Sequence, residues 1–504
     1  MPTNRGAPTP PIAIEGDALR ARFAGSAVAV DDTFLAQLAD VCADVRTDTA
    51  TLAEGGRDWW PVAMRWALDG EVPALAAAVA RPATVHEVGA VAALCNDNRI
   101  PLTVAAGRSG VCGGCVPVHG GVVLDLTDLD GIVGVDDTSQ LLDVRAGTFG
   151  DVLEDDLRAR HGVTVGHWPQ SVNLSTVGGW LACRGAGQYS TRYGKIEDMV
   201  VALEVVLADG RVVRTGGSPR AAAGPDLNQV FVGSEGTLGV ITEATLRVHP
   251  VPPAERRAAY GFPSFALGLE ACRRILRRGA TPAVLRLYDE RESKRYTGDG
   301  ADGEHAGHQN LLLVLDEGDR GLVDAVFEVV AEECRGARRL DEGYVGQWLD
   351  HRNEVSALED AIRKDIVVDT TEIAARWSTL PAIYEEGCSA LKAVPGIWVA
   401  SAHQSHSYSD GACIYFTWAG QPVNDQTADE LYRAAWDAIT RTVLAHGGAL
   451  SHHHGVGLNR SRFMREALGP AFDVLAATKA ALDPNGILNP GKLGLPSPFG
   501  PLDW

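Results

Sequence analysis

A chain of 504 residues, 45% hydrophobic and 22% charged, holds more material than one core usually takes, so an ordinary globular protein of two or more domains is expected. A formal charge of −20 leaves no basic surplus for neutralising phosphates, which excludes nucleic acid as a generic partner. Any anionic substrate then needs a local basic pocket.

Residues 1–15 are Pro-rich and polar and read as a disordered leader. The start lacks an apolar run after a basic stretch, and no segment approaches about eighteen consecutive apolar residues, so neither secretion nor membrane spanning is expected. Residues 16–76 read as an N-terminal helical segment around the corner Asp58-Trp59-Trp60-Pro61. From Arg81 the texture changes: HEVGAVAALCNDNR is an amphipathic helix, IPLTVAA a strand before a Gly-rich loop, and GVVLDLT and LLDVRAGTF two further strands. Asp209-Gly210 marks a hairpin inside MVVALEVVLADGRVVRT. The prolines of HPVPP close this region near residue 252, giving a domain over 77–252.

Residues 253–440 mix the helix of PSFALGLEACRRILRRG with the strands NLLLVLDEG and GACIYFTWAG, an α+β domain with an antiparallel sheet. The segment 441–504 contains a helix in LGPAFDVLAATKAALDPNGILNP, stopped by Asn485-Gly486 and Pro490. The nine cysteines are unpatterned and read as reduced thiols of a cytoplasmic protein. Only Cys112 and Cys115 have CxxC spacing, and no second pair completes a zinc site. No metal is expected.

No GxGxxG lies between a strand and a helix, and GxxxxGK[ST] is absent. Instead, small residues at 105, 106, 107, 109 and 110 in VAAGRSGVCGG let successive backbone N–H groups converge on an anion, as a pyrophosphate would need. An ordinary flexible loop would look the same. Small residues recur at Ser175–Gly179 and Ala182–Gly187, and again in GSEGTLGVIT at 233–242. Three separated cradles are hard to explain as turns alone.

Taken as a set, AAGRSGV, PQSVNLSTVGGW, YGKIEDMV and GSEGTLGVITEATLRVHPVP resemble the FAD domain of the vanillyl-alcohol-oxidase-type, FAD-linked oxidases. The resemblance implies FAD as cofactor and an α+β fold: a PCMH-type FAD-binding domain of two α+β subdomains over 77–252, with 253–440 as a cap over the substrate. Ala105, Ala106, Gly107, Arg108, Ser109, Gly110 and Val111 would hold the pyrophosphate. Gln170, Ser171, Val172, Asn173, Leu174, Ser175 and Thr176, then Ala182, Cys183, Arg184 and Gly185, would line the rest together with Glu235, Gly236, Thr237, Leu238, Gly239, Val240 and Ile241. Relatives that tether FAD carry a histidine where this chain has Val111, so the flavin is expected to be non-covalent.

GHWPQSVNLSTVGGW, ACIYF, SHHHGVG and LDPNGILNPGKL extend the match to the alkyldihydroxyacetonephosphate synthase (alkylglycerone-phosphate synthase) branch. That branch exchanges the acyl group of acyl-dihydroxyacetone phosphate for a fatty alcohol through a flavin adduct, in ether-lipid synthesis, without net redox change. By this resemblance Tyr415 is the acid/base, His452, His453 and His454 stabilise charge near the reacting carbon, and Arg286 matches an arginine needed for activity. From the residues alone, Tyr415 shares a strand face with Cys413 and Thr417 and is equally a core tyrosine, while three consecutive histidines diverge and are poorly arranged for one metal. The resemblance implies a small-molecule or lipid-like substrate and is compatible with peripheral membrane contact and a homodimer. One departure stands out: the branch's carboxylate-binding arginine falls on Leu358 or Glu359. The alternative is an oxidoreductase of 2-hydroxy acids or alcohols, like D-lactate and glycolate oxidases, which carry Glu-His-Gly where this chain has His453-His454-Gly455.

Overall fold

The computed structural model describes residues 10, 12–14, 19–298, 307, 309–354, 356–502 and 504, with 356 and 357 in the backbone only. The leader expected over 1–15 lies mostly outside the described residues. Within it, Ile12 is not free: it is fully buried against Met64, Ala67 and Ile362, and its carbonyl accepts from Arg57 Nη1 at 2.6 Å. An apolar side chain with a ready pocket gains about 1.5–3 kcal/mol by burial, enough to order a short segment.

The segment before residue 77 contains the helices Asp32–Val41, Thr49–Gly55 and Pro61–Leu68, and the ALAAAVA stretch read as helical ends instead in the strand Ala78–Ala80. It is not purely helical, because Arg20–Ala21 pairs with Glu71–Val72 and Val45–Arg46 pairs with Ala78–Ala80. The β-branched Val45 thereby joins the edge of a four-stranded sheet that continues through Val122–Asp125 to Leu102–Ala105 in parallel. Helix Val85–Asn98 starts on a Thr84/Glu87 capping box and covers this sheet with Val88, Val91, Ala92 and Cys95.

A five-stranded antiparallel sheet follows, in the order Val212–Gly216, Val200–Val206, Val240–Arg247, Leu141–Arg145, Ile132–Asp136. Its hairpin at Asp209-Gly210 closes with Gly210 at φ 82° and Leu207 N–H donating to the Arg211 carbonyl at 2.9 Å. A seven-stranded antiparallel sheet runs Arg338–Leu340, Ala254–Phe262, Asn310–Gly318, Val284–Tyr288, Ile397–Ser407, Gly411–Gly420, Val367–Arg376. On one face Leu285, Leu287, Ala402, Ile414, Phe416 and Trp418 pack under helices such as Phe265–Arg277 and Ala428–Ala445. The alternate residues, Arg286, Tyr288, His403, Ser405, Tyr415 and Thr417, face a cavity. Period-two alternation thus divides these strands between core and site.

The last segment returns to the first sheet. Leu102 N–H donates to the Ile487 carbonyl and Asn489 N–H to the Leu102 carbonyl, both at 2.8 Å. Asn489 Nδ2 reaches the carbonyls of Gly114 and Glu235 at 3.0 and 2.6 Å, and Lys492 Nζ that of Val116 at 2.7 Å. Among the described residues no helix is long and apolar enough to cross a membrane.

Candidate functional site

A cavity of about 910 Å3 runs between the three small-residue loops and the polar face of the seven-stranded sheet. All of Ala105 to Val111 line it, as do Gln170, Ser171, Leu174, Ser175, Thr176, Ala182, Cys183, Gly185, Glu235, Gly236, Gly239 and Ile241. The loops touch: a Cβ on Gly107 would fall 2.3 Å from the Leu174 carbonyl oxygen. Arg108 takes a left-handed φ of 49°, the alternation that turns successive N–H groups into an anion cradle. Its guanidinium is drawn aside by Asp125 at 3.0 Å, leaving the backbone to face the cavity.

Six of the expected cofactor residues lie off the wall. Leu238 and Val240 point into apolar cores, Thr237 bonds the Ser234 carbonyl at 2.7 Å, and Arg184 reaches toward Glu197 at 3.5 Å. Val172 and Asn173 also stay off the cavity, whereas Leu174 to Thr176 turn back to it. The expectation treated each segment as a continuous lining, but side chains in a turn or strand cannot all face one way.

The residues present fit FAD. An elongated cavity walled by glycine, alanine and serine leaves backbone donors for phosphates and room for flat rings. Among the buried polar atoms in the wall, Asp58 Oδ2 and Trp59 Nε1 beside the glycine loop have no partner among the described residues. Burial pushes the Asp58 carboxyl up to about 7 despite backbone N–H groups that favour its charge. Val111 lines the wall without a nucleophile.

At the sheet end of the cavity two rows of side chains converge, the second hydrogen-bonded throughout and the first hydrogen-bonded only between Tyr415 and His454. Tyr415 Oη lies 2.8 Å from His454 Nε2, and His454 Nδ1 faces Glu372 Oε2 at 3.6 Å. Burial raises the phenol pKa and lowers that of His454, so a neutral phenol donates to a neutral ring. In the second chain, Arg286 donates through Nη2 to His403 Nε2 at 2.7 Å, and His403 Nδ1 donates to Glu292 Oε2 at 2.8 Å. Arginine has no acceptor, which fixes the His403 tautomer. Burial and the Arg286 charge hold His403 near a pKa of about 4. Its ring stacks on Tyr415 at 5.0 Å and 13°, joining the two chains.

The histidine run is shaped by a buried carboxylate. Glu372 Oε1 accepts from the backbone N–H groups of His452, His453 and His454 at 3.2, 3.1 and 2.8 Å and from Ser451 Oγ at 2.5 Å. Its other oxygen pairs with Arg460, which is itself fully buried. Burial alone would raise the Glu372 pKa, yet the Arg460 charge and the hydrogen bonds from Arg460 and Ser451 hold it down at about 2. Wrapping around this anion overrides strand-like alternation. His453 and His454 reach the cavity wall while His452 does not.

Contrary to the divergence expected of consecutive residues, His452 and His453 bring their Nδ1 atoms to 3.0 Å. With His406 they place one ring nitrogen each within 4.8 Å of one another. Ser190 Oγ holds His406 Nδ1 at 2.8 Å and Tyr408 Oη holds His452 Nε2 at 3.0 Å. All three rings are kept neutral by burial.

His403, Glu292, Glu372 and Arg460 escaped the sequence reading. His403 and Ser405 lie in the polar run His403–Ser407 that ends a strand beginning IWVA, and that run was a readable signal. Glu372 gave none, being one acid in an ordinary strand. At the departure from the branch, Leu358 faces the cavity, and Glu359 turns away to pair with Arg363 at 2.9 Å.

Residues 76–216 match the family described as FAD binding domain, and residues 251–493 that of FAD linked oxidases, C-terminal domain. The chain is 33% identical over 438 residues, 83% of its length and 88% of the relative's, to the "Uncharacterized FAD-linked oxidoreductase YgcU" of Escherichia coli O157:H7. It is 29% identical over 447 residues, 82% and 72% of the two lengths, to alkyldihydroxyacetonephosphate synthase of Dictyostelium discoideum. A solved alkyldihydroxyacetonephosphate synthase superposes with a TM-score of 0.77 at 24% identity, covering 96% of this chain and 89% of that one. The loops that a flavin needs, the shared fold and these matches agree: the chain belongs to the FAD-linked oxidases, as an FAD-dependent enzyme with the PCMH-type fold.

Proposed function

We propose that the protein is an alkylglycerone-phosphate synthase-like transferase, exchanging the acyl group of an acyl-dihydroxyacetone-phosphate-like ester for a fatty alcohol. The observation that carries this reading is the Tyr415–His454–Glu372 chain, with a phenol–imidazole contact of 2.8 Å, set against Arg286 and His403 on one cavity wall. Acyl exchange needs a proton taken from substrate carbon and protons supplied to and withdrawn from oxygen. A buried phenol that passes its proton to a neutral imidazole can do both. FAD supplies the electron-accepting ring that activates the reacting carbon. Arg286 fixes His403 as an acceptor and places positive charge where an enolate-like oxygen would form. In this reading 77–252 and the 441–504 segment hold FAD non-covalently and 253–440 serves as cap, in a cytoplasmic protein.

Leu358 gives the wall an apolar patch where the branch has an arginine. With Glu359 paired elsewhere, that patch suits an alkyl chain. A second reading, an oxidoreductase of a 2-hydroxy acid or alcohol, draws support from the 33% identical relative named an oxidoreductase. The test is an anaerobic incubation with palmitoyl-dihydroxyacetone phosphate and hexadecanol and no electron acceptor. Many turnovers of palmitate release with the flavin still oxidised support the transferase. No release, together with acceptor-dependent oxidation of a hydroxy acid, assigns the second reading.

A further inference from the structure

Arg352 follows the helix Gly343–His351 and lies on the cavity wall. Its guanidinium sits over three aromatic rings, 5.1 Å from the centroid of Tyr189, 5.7 Å from Trp348 and 5.8 Å from Trp168. Such faces attract the cation and hold it flat, but they neutralise no charge and take no bidentate hydrogen bond. Its Nη1 is buried with no hydrogen-bond partner among the described residues. The Tyr189 phenol lies within hydrogen-bonding reach of the Arg352 guanidinium, and burial keeps it neutral against the pull of that charge, leaving Nη1 as the unpartnered edge. Glu354, two residues on, is engaged by His351 at 3.1 Å.

The neighbouring wall repeats the pattern. Gln188 Nε2 donates to the Arg352 carbonyl at 3.1 Å, while its Oε1 is buried without a donor. A cationic donor and a neutral acceptor, both unmet, stand side by side on the cavity. The segment beneath them reaches the reactive end directly: Tyr189 carries the stacked ring, and Ser190 bonds His406 at 2.8 Å.

We propose that Arg352 is the substrate's anion-binding residue, held among three aromatic rings so that its unpartnered Nη1 takes a phosphate or carboxylate, with Gln188 Oε1 accepting from an adjacent hydroxyl. The arginine that the branch places at Leu358 or Glu359 is thereby replaced from the end of the preceding helix. The position of the reacting carbon at Tyr415 and His454 rests on the function proposed above; the anion site itself does not.

The experiment is calorimetric titration of the FAD-loaded protein with glycerol 3-phosphate and with decanoate, using glycerol and decanol as uncharged controls. At least one anion binds saturably and its control does not; which anion binds tells phosphate from carboxylate. Arg352→Met weakens that Kd at least tenfold, and Arg352→Lys, which keeps the charge but loses the planar fork, gives an intermediate loss. FAD content and melting temperature report on folding, and Arg352→Lys carries the test if Arg352→Met fails to fold. Equal affinity in wild type and variants, or no saturable binding of either anion, overturns the assignment. Weakened anion binding without palmitate release in the wild type overturns the transferase reading alone. Palmitate release with an unchanged KM in Arg352→Met overturns the anion site alone.

Discussion

Replacing Glu372 by glutamine should cost the folded protein about 3 kcal/mol. The side chain is fully buried, and its two oxygens divide the work: Oε1 gathers three backbone N–H groups and Ser451, while Oε2 meets Arg460. Glutamine keeps one acceptor but turns an NH2 group toward either the guanidinium or the N–H cluster. Breaking a buried pair from one side typically costs about 3–5 kcal/mol, because the remaining charge is left uncompensated. Proton linkage gives a similar figure: a pKa that falls from 4.5 to about 2 on folding corresponds to about 3 kcal/mol. Since the folded pKa is depressed, this contribution is complete above the unfolded value and fades as pH drops from about 4.5 toward about 2. Guanidinium unfolding followed by tryptophan fluorescence, at pH 7 and at a series of values down to pH 3, reads both effects. Glu372→Gln should be weaker at pH 7 and should show a flatter acid limb. Stability within about 0.5 kcal/mol of wild type at pH 7, with an unchanged acid limb, would refute this account of the histidine run.

Tyr415→Phe should reduce turnover by about 10²–10⁴-fold with FAD content and melting temperature unchanged, since only a proton-transfer group is lost; full activity would return Tyr415 to a packing role. Gly107→Ala should yield protein depleted in FAD, because its Cβ would meet the Leu174 carbonyl oxygen at 2.3 Å and push two cradle loops apart; flavin occupancy measured on the purified variant decides it. Acid precipitation should release the flavin into the supernatant, given Val111 at the tethering position; yellow protein in the pellet would contradict non-covalent binding.

The cofactor half was largely legible because cradles are local. Runs of small residues announce close backbone approach wherever they occur, and the loop Ala105–Val111 lines the cavity along its whole length. What local reading could not deliver was direction within each run, so Val172, Arg184 and Leu238 were assigned to a wall they do not reach. The reactive end was legible only through resemblance. Tyr415 becomes more than a strand residue because the neighbouring strands set Glu372 and His403 opposite it in register, and the loop of His454 then closes on all three. Such pairings join residues 12 and 43 positions apart and leave no periodic trace. The choice between 358 and 359 turned on where a gap falls in matching the branch, whereas in the helix Ser356–Arg363 Leu358 looks to the cavity and Glu359 meets its partner four residues on.

The return of residues 487–492 to the first sheet has a temporal meaning. The carbonyls of Gly114 and Val116, at the end of the glycine loop, are held by Asn489 and Lys492, and the outer edge of strand Leu102–Ala105 is completed by Leu488. A ribosome finishes the loop some 370 residues before it makes the side chains that brace it. Domains that fold as they emerge normally become competent in order of synthesis. Here the nascent cradle lacks these two braces until Asn489 and Lys492 have been made.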